Sequence, residues 1–365
     1  MTIVLALVMG FLGLRAAVSA INLVTFPALR PWGLKQYPAL AILVPARNEA
    51  ANLPHLLALL EQLAYPGFQV WILDDQSEDE TPQILAEAAA RLPWLHVMQG
   101  VPLPDGWLGK NWACHQLAQA AEGDYFLFLD ADIAEIHPGL PEAAIADMKR
   151  RELSLLSIFP DQHMQSLGER MVVPLMHYVL LSLLPLWWIL RFRFPSMAAA
   201  NGQFMLFDAA QYRARRWHEQ VKRVIVEDIA IMREVKRAGL RGMTYVANGM
   251  ISCRMYQSGL EAASGFSKNL LAGFGNSIPG LLIYLALLLA SAPLAVLFFP
   301  GEGVLGVVLL ILFTRLSVSI VSRQSPLWNL WLHPIQMTGL FWIGIASIYR
   351  KLTRKNVWKG RNVQL

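Results

Sequence analysis

Charge is scarce in this 365-residue chain: Asp, Glu, Lys and Arg make up 16% of it, against roughly a quarter in soluble globular domains. With 55% apolar residues and a mean hydropathy of +0.40, that deficit argues against a wholly water-exposed protein and points to lipid. The net charge of +5 does not restore a nucleic-acid reading. Basic residues gather beside apolar runs, where they act as membrane-flanking anchors, and no nucleic-acid partner is expected. Cysteine is nearly absent as well. Cys114 and Cys253 stand in unrelated segments without paired metal-ligand spacing, so neither a disulfide nor a zinc site is expected.

What is abundant is long apolar sequence. Residues 2–29 form a stretch long enough to cross a bilayer, interrupted only by Arg15 and Asn22. No basic residue precedes Arg15 and the run exceeds the core of a signal peptide, so 1–30 reads as a transmembrane helix rather than a cleaved leader. A second run, 171–190, carries Pro174, Pro185, His177 and two tryptophans and is followed by Arg191 and Arg193. It reads as a helix lying in the interface plane, with a buried core helix as the alternative. Three further blocks occupy 278–299, 304–321 and 327–349, the first two joined as a hairpin across 300–303.

Orientation follows from lysine and arginine. Arg30 and Lys35 follow the first helix, and Arg350, Lys351, Arg354, Lys355, Lys359 and Arg361 crowd the C-terminus. Both flanks are therefore expected on the cytosolic side. Parity then makes the last block, broken by Pro334, re-entrant or in-plane, ahead of a basic cytosolic tail at 350–365. The expectation is a multi-pass cell-membrane protein with a cytoplasmic domain over 38–276 and transmembrane or re-entrant helices over 277–349.

Between 40 and 157, short Val-, Ile- and Leu-rich runs alternate with helical patterns, the signature of βαβ units on a mostly parallel, Rossmann-like sheet. Strands are expected at 40–45, 69–73, 95–99, 125–129 and 153–159, and helices at 52–63, 81–91, 110–121 and 141–150. In open α/β sheets ligands bind beyond the carboxyl ends of the strands.

Acidic residues recur there. The strand at 69–73 runs into Asp74 and Asp75, where a carboxylate suits a uracil N–H, although acids in such a turn also cap helices. The strand at 125–129 runs into Asp130, Ala131 and Asp132. Period-two alternation would turn both carboxylates to one side, toward a hard divalent cation, Mg²⁺ or Mn²⁺, that neutralises a departing diphosphate. Glu227 and Asp228 open a helical pattern, either as dipole compensation or, for Asp228, as the base that takes an acceptor proton. Gly106 to Lys110 precede a helix whose first N–H groups, with the Lys110 ammonium, suit phosphate oxygens. Arg254 offers a second fixed cation, and Tyr256 a wall for an acceptor groove.

Taken together, PARNE (45–49), DDQSEDET (74–81), GWLGKNWA (106–113), DAD (130–132) and VEDIA (226–230) resemble family 2 glycosyltransferases with a GT-A fold. NGQFMLF (201–207), CRMY (253–256), GFSKN (265–269) and WKGR (358–361) look most like the 4,4′-diaponeurosporenoate, or carotenoid, glycosyltransferase group. That resemblance implies a nucleotide-sugar donor, a UDP-hexose, bound by Pro45, Arg47, Glu49, Asp74, Asp75, Lys110, Asp130 and Arg254. It implies metal at Asp130 and Asp132, and catalysis at Asp228 with Glu227 beside it. A lipid acceptor would lie at Asn201, Gly202, Gln203 and Tyr256. Relatives often carry Q/R-x-x-R-W near the acceptor; here the stretch is Ile251, Ser252, Cys253, Arg254, Met255, which keeps only the arginine. His218 stands where relatives place a GGH-like turn and ranks as a minor candidate. Two other readings fit the composition: a processive polysaccharide synthase, against which the few C-terminal crossings speak, and a non-catalytic membrane scaffold, against which the full set of acids speaks.

Overall fold

A computed structural model describes residues 2–353, 357–358 and 361–362, with side chains over 6–353; half of the basic tail and two positions of WKGR lie outside the described residues. The chain begins with helix α1 (Thr2–Thr25), followed by β1 (Leu40–Ala46), α2 (Leu53–Glu61), β2 (Gln69–Asp74), α3 (Thr81–Arg91), β3 (Leu95–Gln99), α4 (Gly109–Ala120) and β4 (Tyr125–Leu129). Next come β5 (Ile133–Ile136), α5 (Leu140–Arg151), β6 (Leu155–Phe159), β7 (Asp161–Gln162), α6 (Leu167–Val172), α7 (Pro174–Leu183), α8 (Trp187–Arg191) and β8 (Phe204–Asp208). The order ends with α9 (Ala209–Arg215), α10 (Trp217–Gln220), α11 (Glu227–Arg237), β9 (Gly242–Val246), β10 (Ile251–Cys253), α12 (Gly259–Gly273), α13 (Ile278–Phe298), α14 (Gly301–Val321), α15 (Pro326–Trp331), α16 (His333–Thr353) and a two-stranded ladder, β11 (Val357–Trp358) with β12 (Arg361–Asn362).

Two compact units share these elements. One holds Ala28–Asp161 and Ile189–Arg254; the other holds α1, Gln162–Trp188 and the helices from Met255 onward. The interface run and the segment 255–276 thus group with the helices, where the sequence suggested one continuous domain over 38–276.

The first unit is built on a seven-stranded sheet of order β3-β2-β1-β4-β8-β6-β9. β1 pairs in parallel with β2 and β4, β2 with β3, and β6 with β9, whereas β8 runs antiparallel between β4 and β6. Every residue of β4 and β6 is buried, as expected of strands covered on both faces. The strands steer outward to β3 and then return past β1 to β4. Between β1 and β4 lies the topological switch point, where a ligand crevice opens in this kind of sheet. The carboxyl ends of β1, β2 and β4 are the ends where PARNE, DDQSEDET and DAD begin.

In the second unit α1, α13 and α14 are each long and apolar enough to cross a membrane, over Ala6–Thr25, Ile278–Phe298 and Gly301–Val321. Val8 and Leu12 of α1 pack with Ala295 of α13 and Val307 of α14 in one core cluster. The two polar interruptions of α1 point inward. Arg15 donates from Nε and Nη2 to Ser182 Oγ at 3.1 and 2.8 Å and lies 4.4 Å over the Tyr178 ring. Asn22 donates to the carbonyls of Leu181 and Leu184, at 2.8 and 2.9 Å, and accepts from Leu186 N, closing the end of α7. The run 171–190, expected as one helix, is three, because Pro174 and Pro185 have no N–H to continue a helical ladder.

Candidate active site

The loops after β1 and β2 are laced together by side chains. Asn48, in the left-handed region at φ 53°, receives Glu78 N on its Oδ1 at 2.8 Å while its own N–H donates to Ser77 Oγ at 2.9 Å. Asp79 Oδ2 accepts from Ala50 N at 3.1 Å, and Thr81 Oγ1 accepts from Glu49 N at 2.8 Å. Arg47, largely buried, donates from Nη1 to the carbonyls of Asp75 and Gln76 at 2.6 and 3.0 Å. Asp74 and Asp75 are both buried. Asp74 accepts from Ser77 N and from Gln99 Nε2, each at 3.1 Å. Pro45 lies inside β1 opposite Leu73, and Glu49 accepts from Asn52 Nδ2 at 2.6 Å. Asp74 is thus held by one backbone and one side-chain donor, and the two loops are tied together by a web of backbone N–H groups on Asn48, Asp79 and Thr81 side chains.

Across the switch point, β4 stops at Leu129 and residues 131–132 form a turn. Strand alternation therefore does not carry Asp130 and Asp132 to a common side, and each finds its own partner. Lys110, in the first turn of α4, sets its Nζ 2.9 Å from both oxygens of Asp130 and 3.2 Å from Glu227 Oε1. Burial works against the ammonium, yet the two carboxylates outweigh it and hold its pKa well above the usual lysine value. Asp132 takes Gln203 Nε2 on both oxygens at 3.0 Å. Burial, and then the charge of Asp130, push its pKa up to about 6.

Gln203 belongs to a short connection into β8. Asn201 N donates to Ser157 Oγ of β6 at 2.8 Å, Asn201 Oδ1 accepts from Gln203 N at 2.8 Å, and Gly202 N donates to Asp228 Oδ2 at 2.9 Å. A Cβ at Gly202 would sit 3.0 Å from Lys110 Nζ and 3.1 Å from Glu227 Oε1, so this position holds glycine where α4, α11 and the loop converge. Asp228, in the first turn of α11, also accepts from Ile229 N at 2.7 Å. Burial, and then the charge of Glu227, push its pKa up to about 7. Cys253, the last residue of β10, donates from Sγ to Gln203 Oε1 at 3.3 Å and so delivers Arg254 to the same end of the sheet.

Asp74, Asp75, Lys110, Asp130, Asp132, Asn201, Gly202, Gln203, Glu227, Asp228 and Arg254 all belong to the sheet unit. Tyr256 belongs to the helical unit, where its ring meets Phe266 edge-on at 5.5 Å and covers Gly265. His218 lies in an aromatic core under β4, its Nδ1 2.6 Å from Tyr212 Oη and its ring 4.7 Å from Phe128. Burial drives its pKa down to about 3, so it is a neutral packing residue. Asn111, which the motif reading passed over, fixes the approach to α11 by donating to the carbonyls of Val221 and Val224 at 2.9 and 3.1 Å. Its signal was its place one residue after Lys110 at the start of a helix.

Among the described residues no three His, Cys, Asp or Glu side chains gather as a metal cage. Two carboxylates of hard oxygen suit a magnesium-like ion that takes its remaining ligands from phosphate and water, so Asp130 and Asp132 fit such an ion through the donor set alone.

Acids at the carboxyl ends of β2 and β4, on either side of β1 and around a switch point, belong to a sheet of the GT-A kind. Residues 41–216 match the family model Glycosyl transferase family 2, and the chain carries a glycosyltransferase domain of that family. It is 24% identical to a 4,4′-diaponeurosporenoate glycosyltransferase of Staphylococcus haemolyticus, over 68% of this chain and 65% of that protein. It is 27% identical to the protein so named in Staphylococcus aureus strain USA300, over 77% of this chain and 72% of that one. Among solved structures, a mannosyltransferase of Pyrobaculum calidifontis in complex with GDP-Man and Mn²⁺ matches with a TM-score of 0.60 at 15% identity, over 97% of this chain and all of that one. That likeness is one of fold.

Proposed function

We propose that this protein is an inverting, metal-assisted hexosyltransferase that moves a sugar from a UDP-sugar to a membrane lipid, an isoprenoid or carotenoid acceptor among them. The observation that carries the reading is the meeting of Lys110, Asp130, Glu227 and Asp228 around Gly202, with Asp74 and Asp75 at the same end of the sheet on β2, one strand beyond β1. Such a cluster can bind a diphosphate on one side and take a proton on the other.

In this reading Asp74 and Asp75 meet the nucleobase end, and Lys110 with Arg254 meets the diphosphate. A divalent ion held by Asp130 and Asp132 would supply charge neutralisation of the leaving diphosphate. The acceptor oxygen attacks the anomeric carbon, the carbon–oxygen bond to the nucleotide breaks, and the electron pair leaves with the diphosphate. Where the acceptor is a hydroxyl, Asp228 takes its proton. Gly202 N–H, bonded to Asp228 Oδ2, orients the base. Gln203 steadies Asp132, a role in addition to the acceptor contact expected from the sequence.

Three membrane-length helices in the same chain support a lipid acceptor. With α1, α13 and α14 as crossings, the domain between α1 and α13 and everything after α14 fall on one side. The basic residues after α1 and at the C-terminus make that side the cytosol. The names of the staphylococcal relatives support an isoprenoid acid as acceptor.

The test is transfer by purified protein from UDP- and GDP-hexoses to a lipid extract, read by mass spectrometry. Asp132→Asn and Asp228→Asn should each lower turnover by at least about 10²-fold while melting like the parent. Full turnover in both variants overturns the assignment, and transfer only from GDP-sugars overturns the choice of donor.

A further inference from the structure

Two arginines are buried inside the helical unit on helices of membrane length, Arg15 in α1 at 1% exposure and Arg315 in α14 at 0%. Both guanidiniums lie over one ring, that of Tyr178 in α7, at 4.4 and 4.6 Å. Neither meets a carboxylate among the described residues. Arg15 donates to Ser182, and Arg315 to Asn329 and Gln336. The stretches of chain that make up the unit carry no aspartate and only three glutamates. Glu169 closes the capping box of α6, Glu261 lies in the first turn of α12, and Glu302 opens the same helix as Arg315 but about 20 Å along it. Arginine keeps its proton in proteins, so burial does not remove these charges. Unmatched in an interior of low dielectric, they are costly.

The polar groups around Arg315 are satisfied on one side alone. Its Nε donates to the Asn329 carbonyl at 3.3 Å, and its Nη2 to Asn329 Oδ1 at 3.2 Å and to Gln336 Oε1. Its Nη1 is buried and has no hydrogen-bond partner among the described residues, and the same holds for His333 Nδ1 and Tyr284 Oη. His333 and Gln336 are three apart on α16 and share a face, so the imidazole stands on the side of α16 that Gln336 turns toward Arg315. The imidazole meets the Tyr178 ring edge-on at 5.6 Å, and Arg15 lies 5.8 Å over the Tyr284 ring. His333 is also the first residue of a 21-residue helix, where the helix dipole is positive. A guanidinium arm, an imidazole and a phenol can each donate a hydrogen bond. Water would satisfy the donors and leave the charge; an anion answers both.

Burial sets the kind of anion. Arg315, Tyr178 and Tyr284 are at most 5% exposed, so the ion enters stripped of its water. Stripping is far costlier for a multiply charged oxyanion than for a monovalent ion, and each further oxygen would need a donor of its own. We propose that the helical unit binds one small monovalent inorganic anion, a halide and in cells chloride, between Arg315 Nη1 and His333 Nδ1 beside the Tyr178 ring. The ion offsets the Arg315 charge and ties α14 to the start of α16. It takes no part in sugar transfer, and the site stands or falls independently of that reading.

The test reads binding and stability. Full-length protein in phosphatidylcholine nanodiscs is dialysed against radiolabelled chloride, with sodium gluconate holding the ionic strength constant, and its melting temperature is followed over the same series. About one saturable chloride per chain is expected, displaced by bromide but not by gluconate or phosphate, with melting about 2 °C or more higher in saturating chloride. Arg315→Gln removes the guanidinium and should abolish both the binding and the halide dependence of melting. His333→Phe keeps a ring and the Arg315 charge, and should weaken binding about tenfold. Absence of saturable chloride overturns the proposal, and so does undiminished binding in folded Arg315→Gln. Displacement by phosphate overturns the choice of a monatomic ion. If Arg315→Gln fails to fold, His333→Phe decides, and an unchanged chloride affinity there overturns the site.

Discussion

Gly202 is where sequence and chemistry meet most tightly, because its missing side chain leaves room for Lys110, Glu227 and Asp228. Gly202→Ala forces the lysine or the acid to shift by a few tenths of an ångström. Turnover should fall by about tenfold or more, as misplacement of a catalytic group by such distances does, while the melting temperature moves little; steady-state kinetics beside a thermal melt checks this. Asp228 carries a second prediction. Its folded pKa of about 7 lies above the unfolded carboxylate value, so the folded state holds the proton more strongly. Stability therefore falls as pH rises from about 4 through about 7, while kcat/KM rises through the same upper limit as the base ionises. Asp132, at about 6, adds to the same trend in stability. Asp228→Asn should flatten part of the stability slope and remove activity, measured by denaturant unfolding across that range. Of the site, the acids and Lys110 were legible as residue types at strand ends. The Gln203–Asp132 bond was not, because no local pattern pairs positions 71 apart in the chain.

Among elements, strands bounded by turn residues were readable almost to the residue: 95–99 and 125–129 coincide with β3 and β4, and 81–91 with α3. β8 was not read as a strand, although NGQFMLF was noted as a motif. Four buried apolar residues in a row carry no period, and only pairing with β4 and β6 identifies them as an antiparallel strand. The blocks 278–299 and 304–321 became α13 and α14, while 327–349 became α15 and α16, split after Trp331. The polar breaks in α1 looked like flaws in an apolar run and are instead its attachments to α7. Asn22→Leu keeps about the same size and makes the run more apolar, yet strands two carbonyls and an N–H of the 181–186 segment. It should destabilise the helical unit by about 2–4 kcal/mol, seen as a lower melting temperature in nanodiscs.

For the whole molecule, composition pointed to lipid, and three helices are long and apolar enough to cross a membrane, while the motif order pointed to the family whose model matches 41–216. Which chain segments group together was hidden, since Gln162–Trp188 join helices nearly a hundred residues further on through tertiary packing. Topology is open to direct measurement. Both native cysteines are buried and unbonded, so background labelling is low. Glu302→Cys, exposed in the first turn of α14, should react with an impermeant maleimide on intact cells. Glu80→Cys, exposed in the sheet unit, should react only after lysis. The reverse pattern would invert the proposed orientation.

The bond from Arg15 to Ser182 spans 167 positions. On a ribosome adding about 5–20 residues per second, the first helix waits roughly ten to thirty seconds for its partner. On the proposed topology, with α1 as a crossing, its guanidinium stays unmatched throughout that interval, until the hydroxyl leaves the exit tunnel.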